Sequence, residues 1–218
     1  MTPSPVRPGP VYLTVLVIAT CGLVYELVAG ALASYLLGDT VTQFSLVIGI
    51  YLTAMGAGAW LSKFVEKGVA RRFVEIEIAV AFLGGFSALA LSFAFLSPRW
   101  FHPVFYGLVF AVGTLVGVEI PLMLRLLRRS VAFKDLVAQV LTFDYLGALA
   151  ASLLFPLVFV PTLGLFRTSL LFGLLNVAVA FTSIRLFRDE IGPPGGLLAK
   201  AAIVAALLLG GLVAAERL

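Results

Sequence analysis

Residues 11–37 read VYLTVLVIATCGLVYELVAGALASYLL, and apart from Glu26 they carry no charge. About 20 consecutive apolar residues cross the ~30 Å hydrocarbon layer of a bilayer. This stretch is long enough to do so as a helix, which closes its own backbone hydrogen bonds as lipid demands. It decides the fold class: an all-α integral membrane chain. Working outward, further spans are read at 41–63, 73–96, 103–126, 136–160, 164–187 and 197–215. The expectation is a seven-transmembrane helix bundle, with 1–218 forming a single transmembrane domain. Turn chemistry marks the breaks at Gly38-Asp39-Thr40, Ser97-Pro98-Arg99, Pro161-Thr162-Leu163-Gly164 and 192–196, GPPGG. Composition agrees, with 61% hydrophobic residues, 12% charged residues and a mean hydropathy of +1.12. Soluble domains run at about 45–50% apolar and about 25% charged.

The net charge of +4 does not point to nucleic acid, because the basic residues form no face or stripe. They gather in alternate loops: Lys63, Lys67, Arg71 and Arg72; then Arg125, Arg128, Arg129 and Lys134; then Arg185, Arg188 and Lys200. The opposite loops offer little beyond Arg99 and Arg167. The positive-inside rule then predicts a cytoplasmic N-terminus and an outer C-terminus, in a plasma membrane of the bacterial inner-membrane kind. The N-terminal MTPSPVRPGP is not read as a signal peptide, since the apolar run behind it is too long and carries Glu26. Cys21 is the single cysteine and His102 the single histidine, so no disulfide framework, CxxC site or multi-histidine metal site is expected. There is no P-loop, GxSxG or Ser–His–Asp set, and Gly56-Ala-Gly58 lies inside a span with no strand before it. No cofactor is expected.

Internal similarity suggests a repeat. ELVAGALAS at 26–34 resembles DYLGALAAS at 144–152, SLVIG at 45–49 resembles SLLFG at 169–173, and LGG recurs at 83–85 and 209–211. The order is kept, which implies a 3+1+3 plan of two parallel three-helix repeats about the membrane normal.

The candidate chemistry lies in acidic residues within the spans. Glu26, Glu119 and Asp144 fall well inside the first, fourth and fifth, where a charge costs about 2.5–3.5 kcal/mol on insertion scales. No Lys or Arg lies comparably deep. These carboxyls therefore bind a proton, a metal ion or an organic cation, or they are protonated and hydrogen-bond helices together. Asp39 stands at the outer mouth of the first turn and completes an acidic ladder. Gly22, Glu26, Gly30 and Ala33 share a small-residue stripe, and Asp144 shares a face with Ala148, Ala151 and Ser152. Pro121 frees the carbonyl of Gly117 close to Glu119. Tyr25 and Tyr145 adjoin carboxylates in sequence and can hold an ammonium through cation–π attraction, and Asn176 adds an amide. Glu75 and Glu77 neighbour Arg71 and Arg72 and are read as helix-start electrostatics. Trp60, Trp100 and Tyr106 read as interfacial anchors.

Residues 21–45, CGLVYELVAGALASYLLGDTVTQFS, together with 55–60, MGAGAW, resemble the N-terminal membrane domain of membrane-bound spermidine synthase-like proteins. The resemblance continues through 117–122, GVEIPL, 143–156, FDYLGALAASLLFP, and 168–176, TSLLFGLLN. In fused members of that family a soluble aminopropyltransferase domain follows the last helix. It transfers an aminopropyl group from decarboxylated S-adenosylmethionine to putrescine. The chain reaches Ala215-Glu-Arg-Leu218 about where such a domain would begin, so no catalytic residue is carried over and no enzyme activity is expected of this chain alone. The resemblance implies a bilayer, a polyamine or another cation, and a soluble synthase domain or other subunits as partners. Three readings follow: a domain that binds or conducts a cation through Glu26, Glu119 and Asp144; a structural anchor or accessory subunit; or an enzyme acting on a membrane substrate.

Overall fold

The computed structural model describes residues 8–128 and 133–215, and all regular structure among them is helical. Arg129 of the charge reading, residues 1–7 of the signal-peptide reading and the 216–218 tail named with the resemblance lie outside the described residues. Helix α1 (Pro8–Leu37) is followed by α2 (Thr40–Leu61) and a 3-10 turn over Ser62–Phe64. Then come α3 (Val69–Gly85), α4 (Ser87–Phe95), α5 (Pro98–Leu127) and α6 (Phe133–Leu154). A π turn (Phe155–Phe159) leads into α7 (Val160–Leu186), and the chain continues through a short α8 (Arg188–Ile191) to α9 (Gly195–Ala215).

Local chemistry explains the joints. Between α1 and α2 the chain reverses through two consecutive left-handed residues, Gly38 at φ 73° and Asp39 at φ 42°. Asp39 then caps α2, its Oδ1 accepting from the Thr42 N–H at 3.3 Å. The span expected at 73–96 is not one straight helix: it starts at Val69 and bends by 42° at Phe86, between α3 and α4. The Ser87 hydroxyl donates to the Gly84 carbonyl at 2.6 Å at this bend, a combination of Gly and Ser that kinks helices. Pro103 and Pro121 lie inside α5 without ending it.

The break expected over Pro161–Gly164 narrows to one residue. Helical backbone runs through Pro161 and stops at Gly164, whose φ of 71° and ψ of 176° belong to a region essentially restricted to glycine. The Phe159 and Phe172 rings meet there, centroids 5.0 Å apart. Thirteen residues of straight helix would separate them by about 20 Å, so the chain doubles back at Gly164.

Five helices are long and apolar enough to cross a membrane, and the bent pair α3–α4 makes a sixth. Leu46 and Leu52 on α2, Leu149 and Leu153 on α6, and Ile203 and Leu207 on α9 point outward. A surface so rich in large apolar side chains suits lipid.

Inside, buried side chains form two apolar clusters stacked along the helix axes. One holds Val11, Val15, Ile18, Phe73, Leu122, Met123 and Ile184. The other holds Cys21, Val24, Tyr51, Leu91, Phe105, Val116 and Phe172. The closest backbone approach joins α2 to α5. A Cβ on Gly58 would lie 2.0 Å from the Thr114 carbonyl oxygen, and one on Gly117 2.2 Å from that of Met55. Only glycine permits that crossing.

Candidate functional site

Contacts between helices fix a common level in the bundle. Gly22 faces Val116, the Tyr25 ring lies against Gly84, and Gly173 lies against the Ala81 carbonyl. The Thr20 hydroxyl reaches the Gly147 carbonyl at 3.2 Å. Glu77 stands four residues before Ala81, Glu119 three after Val116, Asp144 three before Gly147 and Asn176 three after Gly173. Each is therefore displaced by about one turn, ~5 Å. All four shifts point toward the same end, because Arg125 near the end of α5 bonds the Ser62 and Val65 carbonyls ahead of α3. The result is a polar layer at the seam between the two apolar clusters.

Glu77, on α3, is fully buried, and neither carboxylate oxygen has a hydrogen-bond partner. This corrects the sequence reading, which gave it the same role as Glu75. Glu75 does pair with Arg71 and Arg72, at 3.4 and 2.8 Å. Glu77 lies two residues on, about 200° around the helix, on the face of Ala81 and Gly84. The signal was present in the sequence: Glu77, Ala81 and Gly84 follow i, i+4, i+7 spacing, the same small-residue pattern that singled out Glu26.

Glu119 is 1% exposed and its Oε1 is unpartnered. It stands within electrostatic reach of Glu77 and Asp144. Neither salt bridge among the described residues involves Glu77 or Glu119. Asn176 on α7 is equally buried, with Oδ1 unpartnered, and Ser183 two turns further along has an unpartnered Oγ. Both belong to the stripe 169, 173, 176, 180, 183, which meets α3 at Gly173.

Tyr25 is buried and its hydroxyl is unpartnered. It borders a cavity of about 10 Å³, shared with Tyr51 and Ser87, which is the size of a single water site. The Tyr51 hydroxyl donates to the Gly22 carbonyl at 2.7 Å. Cys21 is buried, with Sγ 3.7 Å from the Phe172 carbonyl oxygen. The Gly117 turn, freed by Pro121, abuts Gly58 and Met55 of α2.

The remaining sequence candidates lie elsewhere. Glu26 is half-buried on α1, one turn to the opposite side of the common level and within electrostatic reach of Tyr51. Asp144 is half-buried on α6. Tyr145 is 68% exposed and turned away from the layer. Asp39 is exposed at the α1–α2 turn, where hydrogen bonds from Thr42 hold its carboxyl below the usual aspartate range. Among the described residues no three His, Cys, Asp or Glu side chains are grouped to hold a metal ion. The structure thus brings together Glu119, Asn176 and Tyr25, adds Glu77, leaves Glu26 and Asp144 at the rim, and separates Asp39 and Tyr145.

Comparison with known proteins links this helical region to polyamine aminopropyltransferases. Polyamine aminopropyltransferase 1 of Ralstonia nicotianae is 52% identical across all of this chain, which covers 43% of that protein. Polyamine aminopropyltransferase 2 of the same organism is 54% identical over 94% of this chain, corresponding to 42% of its length. The polyamine aminopropyltransferase of Leptospira interrogans is 56% identical over 78% of the chain and 34% of its own. No family model matches, and no solved structure does. The chain therefore spans less than half the length of these relatives and is similar to one portion of proteins named polyamine aminopropyltransferases.

Proposed function

We propose that the chain is the membrane domain of a spermidine synthase-like protein and that its carboxylates bind or conduct a cation of the polyamine class. In this reading it crosses the bacterial inner membrane seven times, with the N-terminus cytoplasmic. The fold-back at Gly164 supports counting α6 and α7 as two spans, and the basic loops support the orientation. The portions suggestive of a 3+1+3 repeat sit in unlike surroundings, Gly49 open and Gly173 packed on Ala81, and the function does not depend on a repeat.

One observation carries the cation reading: four carboxylates on α1, α3, α5 and α6 have no basic partner among the described residues. The half-buried Glu26 and Asp144 are the ones an incoming polyamine can touch, and Glu119 adds its charge behind Asp144. The names of the relatives support polyamine as the cation. A soluble aminopropyltransferase domain is the expected partner in the longer protein, and catalysis resides there.

Equilibrium dialysis of the reconstituted chain against spermidine and putrescine tests this. The expected result is saturable binding, weakened in each of Glu26→Gln, Glu119→Gln and Asp144→Asn. Identical affinity in all three variants would leave the anchor reading, in which the carboxyls only join helices.

A further inference from the structure

The rim carboxylates suit an external cation, but the sealed pair does not. The carboxylate oxygens of Glu77 have no accessible surface and no partner. Glu77 is 0% and Glu119 1% exposed, which leaves no surface of the pair for an external polyamine to reach. Two ionised carboxylates in a sealed, low-dielectric interior repel each other and lose their hydration. The one cation small enough to relieve this is a proton.

Three further buried side chains, Tyr25, Asn176 and Ser183, each carry an unpartnered polar atom. Tyr25 lies within electrostatic reach of both glutamates, its hydroxyl is unpartnered, and the residue borders a small cavity shared with Tyr51 and Ser87. Asn176 shares the level of Glu77 on the stripe facing α3, and Ser183 continues that stripe about 10 Å toward the loop end. Unsatisfied buried groups are uncommon, and each calls for an explanation. The unpartnered atoms of Glu77, Glu119, Tyr25, Asn176 and Ser183 are explained together by a transferable proton.

The groups facing the pair are few. Helix α1 contributes Cys21 and Tyr25, α2 contributes Tyr51, and α6 contributes Asp144. The buried positions of α9 are the apolar Leu197, Ala201, Val204 and Leu208, and α7 presents Asn176 and Ser183, which do not ionise. Arg71, Arg72 and Glu75 engage one another on the outer face of α3, and Arg125 is tied to the loop before it.

We infer that Glu77 and Glu119 form a proton-binding dyad that never holds fewer than one shared proton and exchanges a second with water on the side of the bundle where Asn176 and Ser183 lie. The dyad alternates between two carboxylic acids and one carboxylic acid beside one carboxylate, so the two are never ionised together. This goes beyond polyamine binding and uses different side chains.

Infrared difference spectroscopy of the chain reconstituted in liposomes, stepped in pH, tests it. The expected signal is a protonated-carboxyl C=O band in wild type that shifts on transfer to D2O. It changes in frequency or intensity in Glu77→Gln and in Glu119→Gln, disappears when both are replaced, and persists in Glu26→Gln. Retained helical circular dichroism certifies the variants. The D2O shift needs no variant, so wild type alone can refute the proposal by showing no exchangeable carboxyl band. A band that survives Glu77→Gln/Glu119→Gln together also overturns it. Spermidine dialysis on the same liposomes reads the rim site separately: loss of binding with the band intact counts against the polyamine reading alone.

Discussion

The sealed pair Glu77–Glu119 and the rim carboxylates Glu26 and Asp144 carry the same chemical group in different surroundings. Glu77 and Glu119 are buried, and both oxygens of Glu77 and Oε1 of Glu119 meet neither water nor a donor. Glu26 and Asp144 keep part of their surface open. In a chain without deep basic residues, the enclosed carboxyl is neutralised by what fits inside, and the open one by what arrives from outside. Access, not charge, decides which cation each takes.

The contrast depends most on the α2–α5 crossing, which keeps the Glu119 segment inside. Gly117→Leu drives a side chain into the Met55 backbone and is expected to cost about 1–3 kcal/mol or to block folding. Gly56→Ala, which meets nothing within 4 Å, is expected to leave thermal unfolding in detergent unchanged. Equal effects of the two would remove the crossing as the reason Glu119 is enclosed.

A sharper test compares Glu77 with Glu75. An unpartnered buried polar group costs about 1–3 kcal/mol, so Glu77→Leu is expected to leave stability unchanged or raise it while altering the carboxyl band. If Glu77→Leu unfolds the chain instead, the residue is a structural tie. Glu75→Ala removes ion pairs to exposed arginines and is expected to cost less than about 1 kcal/mol. Chemical denaturation measures both.

The smallest effect is at Asp39. Its carboxyl titrates below the ordinary aspartate range because Thr42 donates to the ionised form. A depressed folded value means that the contribution is present above the unfolded value, about 3.9, and fades as pH falls through the folded one. Asp39→Ala is expected to flatten unfolding against pH in that acid window and nowhere else, with the effect small because the group is fully exposed.

Much of this was legible in the sequence. Hydropathy located the long helices, and Gly38-Asp39-Thr40 marked the first reversal, because both signals are local. The bend at Phe86 was not legible: at it the Ser87 hydroxyl bonds back to the Gly84 carbonyl, with no proline to announce it. The break read over Pro161–Gly164 narrows to Gly164, since proline is tolerated in a first helical turn and Gly164 does the turning. Glu77 was misread because its neighbours in sequence, Arg71 and Arg72, are not its neighbours on the helix surface. Tyr25 and Tyr145, each beside a carboxylate in sequence, go to the interior and the surface respectively, as faces 100° apart require.

The most direct test is a spermidine titration of four reconstituted chains: wild type, Glu26→Gln/Asp144→Asn, Glu77→Gln/Glu119→Gln, and all four substitutions together. Rim carboxylates that meet the external cation predict binding weakened about tenfold or more, ~1.4 kcal/mol, in the first double variant, and a smaller loss in the second. Indistinguishable binding curves for all four chains would contradict the account and leave a scaffold of helices.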